Sequence, residues 1–467
     1  MTLIKSISGF RGTIGGKAGE NFTPVDIVTL TSAYAQLLKQ QYPDKKLKVV
    51  VGRDARISGE MAALLVIGSL LGSGVDVVNI GLATTPSTEL AVVYENADGG
   101  IILTASHNPK QWNALKLLNS KGEFLNNDEG KSLLQIADKS EYPFPDVDET
   151  GKIVKEYNFN DIHIKMVLNS RFVDADAIIK AKFKIVVDAV NSVGGIIIPQ
   201  LLKKLGVDVV ELNCEPTGNF AHNPEPLPEN LTEISKKIIE KKADIGIVVD
   251  PDVDRLALVC ENGKMFGEEY TLVSVADYVL SKTQGNAVSN ISSSQALRDV
   301  AEKHGGQYFS SAVGEVNVVA KMKEVNAVIG GEGNGGVIFP EFHYGRDALI
   351  GIALFLTNLA NKKIKASELR STYPDYFMSK NKIELTPNID IDKIFEQIKQ
   401  KYSSQRITNI DGIKIDFDNE KMWVLLRKSN TEPIIRIYSE ACDIKAADRL
   451  AKGIIDDIIL DIKYRLK

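Results

Sequence analysis

Residues 243–260, ADIGIVVDPDVDRLALVC, place three carboxylates at alternate positions directly after a β-branched run. They are Asp250, Asp252 and Asp254, with Pro251 stiffening the turn between the first two. Carboxylates held this closely repel: at ~4 Å and an effective dielectric of about 20, each pair costs about 4 kcal/mol. A bound cation relieves that cost. An all-oxygen ligand set that leaves a position for a phosphate oxygen suits Mg2+.

Other chemistries compete for the same stretch. Asp250 to Glu261 matches the first, third, fifth and twelfth positions of an EF-hand loop, but Arg255 stands where that loop needs glycine and both flanks are strand-like. A strand followed by DPDVD is also the pattern of dehalogenase-type phosphatases, in which Asp250 would be the nucleophile. A solvated acidic turn is the plainest alternative. The crowding favours the metal.

A second stretch, IILTASHNPKQWNALKLL (101–118), breaks an interior-looking strand on a hydroxyl, an imidazole, an amide and a proline. Ser, Asn and Pro are ordinary turn residues, so this is either a turn or a loop that presents Ser106 for chemistry. Near the C-terminus, RKSNTEPIIR (427–436) sets Ser429, Asn430 and Thr431 between Arg427 and Arg436. Hydroxyls, backbone amides and guanidinium forks together suit a phosphate dianion; a hairpin turn with surface arginines is the competing reading. VIGGEGNGGVIFP (328–340) is Gly-rich without the Lys-Ser/Thr ending of a nucleotide P-loop. Its Glu332 and Asn334 suit the paired hydroxyls of a sugar. Arg11, between glycines in SGFRG, and Arg53 and Arg56, after the VVVG strand, either face a phosphate or make structural ion pairs.

These residues need a scaffold. KLKVVVGRDARISGEMAALLVIGSLLGSGVDVVNIG, from Lys46, and KFKIVVDAVNSVGGIIIPQLLKKLGVDVVELN, from Lys182, share one pattern of strand, Ser/Gly loop, apolar helix and GVDVV strand. A weaker copy starts at Asn286. Each reads as a βαβ unit with a parallel pair. The last hundred or so residues instead alternate as half-exposed strands with two amphipathic helices, an α+β pattern. The expected fold class is therefore α/β: three similar α/β domains (1–157, 158–259, 260–372) with mixed, mostly parallel sheets, plus a C-terminal α+β domain (373–467), arranged around one central cleft.

Composition narrows the function. The 467 residues are 44% hydrophobic and 25% charged, with a net charge of −5. That balance suits a soluble globular protein and offers no basic field for nucleic acid. No apolar run reaches the ~18–20 residues that span a bilayer. The start, MTLIKSISGFRGTIGG, has no apolar secretion core, and a cytoplasmic location is expected. Cys214, Cys260 and Cys442 are far apart and lack metal-ligand spacing, which predicts reduced core cysteines.

Taken together, TASHNP, DPDVDR, GEGNGG and RKSNTEP resemble, in order and across essentially the whole chain, the motif loops of the α-D-phosphohexomutase superfamily. The resemblance implies a phosphoserine at Ser106, Mg2+ on Asp250, Asp252, Asp254 and a phosphoserine oxygen, and sugar contacts from Glu332 and Asn334. It implies a distal-phosphate grip by Arg427, Ser429, Asn430 and Thr431. Arg11 and Lys116 match basic residues beside the phosphoserine, with Lys116 a candidate proton shuttle. Arg255 and Arg436 are further substrate-binding candidates, and His107 neighbours the transferred group. Family members often carry histidine where Gly336 stands, and His343 is the candidate to replace it; Ala114 replaces a usual glycine. The implied reaction interconverts hexose 6-phosphate and hexose 1-phosphate through a 1,6-bisphosphate that turns end for end, with glucosamine or glucose 1,6-bisphosphate as activator. Glucosamine 6-phosphate is the favoured substrate, a broad phosphoglucomutase/phosphomannomutase specificity the alternative. Expected partners are a small phosphosugar, no nucleic acid and no membrane, for a monomer or homodimer.

Overall fold

A computed structural model of the chain describes residues 2–6, 9–384, 390–428 and 434–465. It divides into two compact units, residues 1–279 with 334–369, and 280–333 with 370–467.

The first unit holds two sheets. In the larger, strands run in the spatial order Ile4–Ser6, Gly9–Thr13, Trp112–Leu118, Gly99–Leu103, Lys48–Arg53, Asp76–Leu82, Ile153–Glu156. Lys48–Arg53 is parallel to both neighbours, as the repeat requires, whereas Trp112–Leu118 is antiparallel to Gly99–Leu103. That reversal makes residues 104–111 a hairpin-like loop at the strand's end. It also sets Arg11 opposite Ala114 on the neighbouring strand. Gly9 permits this approach: its φ is 128°, and a Cβ there would meet Leu115 O at 2.2 Å.

The second repeat forms the other sheet, in the order Leu256–Cys260, Ile245–Val249, Lys184–Asp188, Asp208–Leu212. Ile245–Val249 and Leu256–Cys260 are antiparallel and buried at every residue, so the DPDVD loop is the tight reversal between two core strands. Two helices of this unit start at caps that the sequence supplies. Thr23 and Asp26 form a capping box on Pro24–Gln41, and Asn126 with Glu129 forms another on Asn127–Lys139.

In the second unit, Asn286–Asn290 lies parallel between Tyr308–Ser311 and Ala327–Glu332, the weaker third repeat. The C-terminal sheet is fully antiparallel, in the order Phe377–Glu384, Ile434–Ala441, Met422–Lys428, Ile413–Phe417, Arg406–Thr408. Helices Ile391–Lys401 and Ile444–Arg465 bury their apolar faces on it through Ile394, Ile398, Ile454 and Ile458.

The cysteine expectation is corrected at one position. Cys260 is buried and Cys214 half-buried, but Cys442 is exposed just past the last strand. Among the described residues, no helix is long and apolar enough to cross a membrane.

Candidate active site

Ser106 follows the buried strand Gly99–Leu103 with φ 50°, a left-handed conformation that serine adopts reluctantly. A buried network holds it there. The Ser106 amide donates to Thr104 Oγ1 (2.9 Å), and Thr104 Oγ1 donates to Asp54 Oδ2 (2.6 Å). Arg56, 1% exposed, donates from Nε to the same Asp54 oxygen at 3.0 Å. Its two terminal nitrogens donate to the carbonyls of Ser106, Asn108 (2.7 Å), Pro109 (2.9 Å) and Trp112 (3.0 Å). Of the two readings open for Arg56, the ion pair is the one formed, and the guanidinium staples the whole TASHNP loop. Arg56→Met should cost about 3 kcal/mol or more, because it strips the partner from a buried Asp54 and leaves those carbonyls short of a donor. Urea unfolding measures the loss, and proteolysis should open the chain first at residues 104–111.

The Ser106 hydroxyl donates to Asp250 Oδ2 at 2.7 Å, which joins the two loops found separately in the sequence. Asp250, Asp252 and Asp254 are each 0% exposed. One oxygen from each lies within 4.8 Å of the others. The loop is wound tightly: Val253 takes φ 63°, which is strained for a β-branched residue, and the Arg255 amide donates to Asp250 Oδ1 at 3.1 Å. Burial, then the charges of Asp254 and Asp252, push the Asp250 pKa well above the carboxylate range.

Lys116 answers the crowding. Its ammonium lies 2.7 Å from Asp252 Oδ2 and 3.3 Å from Asp254 Oδ2. Burial opposes the Lys116 charge, but the two carboxylates outweigh it and raise the pKa above the ordinary lysine value. Asp252 shows the reciprocal effect. Burial pushes it up, yet the Lys116 charge and the hydrogen bonds from Lys116 and Thr85 (2.5 Å) hold it well below the usual range. Lys116 therefore stands in the resting site as a fixed cation.

The triad fits a hard cation on its own evidence. Lys116, Thr85 and Arg346 engage the Oδ2 atoms of Asp252 and Asp254, while both Oδ1 atoms are buried without a hydrogen-bond partner. Two orphaned buried carboxylate oxygens are costly unless an ion fills the space between them.

Around this centre the cations gather. Arg255 is 8% exposed, lies 3.6 Å from Glu225, and keeps a buried Nε without a partner. His107 Nδ1 lies 3.4 Å from Ser106 Oγ. Burial first, then the nearby charge of Arg255, push the His107 pKa down to about 3, so this imidazole is neutral. Arg11 is exposed on its strand beside the one that carries Lys116.

His343 lies elsewhere in the network: Nε2 is 3.1 Å from Asp347 Oδ2 and Nδ1 is 3.5 Å from Glu89. Asp347 also holds His163 at 2.9 Å and caps the helix Ala348–Lys362 through the Leu349 amide. The side chains nearest the Cβ position of Gly336 are Arg346 and Asn334, not His343.

In the second unit, Glu332 ends its strand 5% exposed and accepts from Asn290 Nδ2 (2.9 Å) and the Gly314 amide (3.1 Å). Asn334, the next polar residue on that loop and part of the first unit, accepts from the Gly336 amide at 3.3 Å. Arg427 and Arg436 face each other across the antiparallel strands, an arrangement that repels unless an anion lies between or beside them. Arg427 is held by Asp411 at 2.8 Å, and its Nε is buried without a partner. Ser429, Asn430 and Thr431 lie outside the described residues. Thr85 and Arg346, which reach the triad, and Asp411, which holds Arg427, had no mark in the sequence: each makes its contact through tertiary structure, and none sits in a motif loop.

Comparison with known proteins covers the chain from end to end. Models of the phosphoglucomutase/phosphomannomutase alpha/beta/alpha domains I, II and III match residues 4–143, 161–263 and 267–376, and the C-terminal domain model matches 387–457. A phosphoglucomutase/phosphomannomutase of Thermococcus kodakarensis is 38% identical over 95% of this chain and 97% of its own. A phosphoglucosamine/phosphogalactosamine mutase of Sulfurisphaera tokodaii is 32% identical over 94% of this chain and 96% of its own. The crystal structure of a phosphoglucomutase/phosphomannomutase family protein of Burkholderia thailandensis superposes with a TM-score of 0.84, at 26% identity over 99% of this chain and 97% of that one. The chain belongs to the phosphoglucomutase/phosphomannomutase family of phosphohexomutases, which are isomerases that act by phosphotransfer.

Proposed function

We propose that this phosphohexomutase works through phosphorylated Ser106 and takes glucosamine 6-phosphate to glucosamine 1-phosphate. The carrying observation is the 2.7 Å hydrogen bond from Ser106 Oγ to Asp250, inside the buried triad that Lys116 spans. Mg2+ held by Asp250, Asp252 and Asp254 would supply charge neutralisation for a transferring phosphoryl group.

The protein's own groups do the rest. A phosphoryl group on Ser106 carries roughly −1.5 to −2 charges, and Lys116, Arg255 and Arg11 offset them. Arg427 and Arg436 take the substrate's other phosphate, with the RKSNTEP loop, while Glu332 and Asn334 read hydroxyls of the ring. In the first half-reaction the bond from phosphorus to Ser106 Oγ breaks as one to the sugar 1-oxygen forms; the hydroxyl proton of the sugar ends on the serine oxygen. In the second, after the 1,6-bisphosphate has turned end for end, the bond from phosphorus to the sugar 6-oxygen breaks as one to Ser106 Oγ forms, and the serine hydroxyl proton ends on the 6-oxygen. Positioning and fixed charge carry most such transfers.

A second substrate reading is favoured by one observation: the 38% identical relative is named for glucose and mannose phosphates. Parallel assays with glucosamine, glucose and mannose 6-phosphates, each with catalytic bisphosphate, decide it. The glucosamine reading expects the highest kcat/KM for glucosamine 6-phosphate, and a glucose or mannose preference overturns it.

The distal site has its own test. Arg427→Gln should raise KM by roughly ten- to a hundred-fold, the worth of one charge-assisted pair, with a smaller change in kcat. Asp411→Asn, which frees Arg427, should leave KM equal or lower.

A further inference from the structure

The loop GEGNGG and the helix start GRD (345–347) meet at one point. A Cβ on Gly336 would fall 2.3 Å from Arg346 Cδ and 3.1 Å from Arg346 Cγ. The Gly336 backbone is outside the left-handed region, so its conformation accepts a side chain; the Arg346 stem is what chiefly excludes one, with Asn334 Oδ1 next at 3.2 Å. Arg346 itself is 8% exposed and reaches past Gly336 to place Nη2 2.6 Å from Asp254 Oδ2. The same oxygen lies 3.3 Å from Lys116. With Oδ2 engaged by two cations, the atom of Asp254 left without a hydrogen-bond partner is Oδ1.

We infer that Arg346 is a positioning residue of the phosphotransfer centre, which crosses the empty side-chain space of Gly336 to fix which oxygen of Asp254 faces the cation. The inference rests on reading Asp250, Asp252 and Asp254 as the metal loop. Gly336 and Arg346 then form one device: the glycine is there to let the arginine through. The usual reason for a glycine in such a loop, a backbone turn or close approach to a ligand, does not apply at a position whose φ is ordinary and whose neighbour is a side chain. Partners that orient a metal ligand from behind typically matter by 10–100-fold in metal affinity or activity. Arg346 is aimed at its carboxylate from a different chain segment than the metal loop itself, joined to it where the Ala348 amide donates to Val253 O at 3.2 Å.

The device can be broken from either side. Arg346→Ala removes the guanidinium, Arg346→Lys keeps the charge with a shorter reach, and Gly336→Ala keeps arginine but pushes its stem aside. Mn2+ binding to the full-length protein, followed by electron paramagnetic resonance, reads the site without turnover. We expect Arg346→Ala and Gly336→Ala each to weaken Mn2+ binding by roughly tenfold and to lower kcat more than they raise KM, with Arg346→Lys between them and the parent. Gly336→Ala should add nothing once Arg346 is already alanine. Unchanged or tighter Mn2+ binding in Arg346→Ala, with the parent protein binding normally, overturns the inference. A parent protein that binds no Mn2+ would instead overturn the metal reading on which it rests. Should Arg346→Ala fail to fold, Gly336→Ala, which deletes nothing, decides the question.

Discussion

Ser106→Ala should lower turnover by about ten-thousand-fold or more, the scale seen when a nucleophile is deleted, and leave the fold nearly untouched. The serine is 7% exposed and its hydroxyl makes one strong contact, to Asp250. Losing that hydrogen bond costs about 1 kcal/mol. Alanine adopts φ 50° no less readily than serine, and the Arg56 staple acts on carbonyls that the substitution keeps. Steady-state kinetics and urea unfolding on one preparation therefore should separate widely: activity gone, stability kept. The same variant decides between the two nucleophiles legible in the sequence. A dehalogenase-type reaction through Asp250 would survive the loss of Ser106, and the geometry speaks against it, because Asp250 Oδ2 is the acceptor of the Ser106 hydroxyl's hydrogen bond.

Lys116→Met should have the second largest effect, and it should show in two independent readouts. Lys116 spans Asp252 and Asp254 and lies over the Phe124 ring at 5.6 Å, so methionine keeps the packing and removes only the cation. Three buried carboxylates then face one another with the cation that spans two of them gone, although Arg346 and Arg255 remain. Breaking a buried ion pair from one side costs about 3–5 kcal/mol. In EDTA the thermal midpoint of Lys116→Met should fall well below that of the parent, and Mg2+ should recover more of it in the variant than in the parent. Turnover in saturating Mg2+ should still be down roughly a hundred- to a thousand-fold, the cost of one fixed charge aimed at a transferring group. Equal midpoints in EDTA would mean that Lys116 does not balance the triad.

The main features were legible because each was local. TASHNP and DPDVD each break a buried strand with polar residues over a few positions, and the two βαβ repeats restate one pattern nearly word for word. What joins them was not local. Arg56 follows its strand in the sequence like any surface arginine, yet it is fully buried and holds a loop some fifty residues away through backbone carbonyls, which carry no sequence signature. Arg346 was hidden in the same way: GRD looks like the start of a helix, and its Asp347 does cap one, while the arginine crosses to Asp254. His343, the only imidazole near that loop in the sequence, was the natural candidate to stand against Gly336. The structure spends it on Asp347 and Glu89 instead. Cys442 follows a strand whose last residues are buried, and a single step past the sheet edge turned it outward.

The central claim is that Ser106 carries the phosphoryl group between substrate turnovers. Its most direct test is intact-mass measurement of the full-length protein after incubation with a hexose 1,6-bisphosphate and Mg2+, followed by peptide mapping. One phosphoryl group per chain, located on Ser106, lost on addition of hexose 6-phosphate and absent from Ser106→Ala, is the result the account predicts. A protein that interconverts hexose phosphates while Ser106 is never phosphorylated would contradict it.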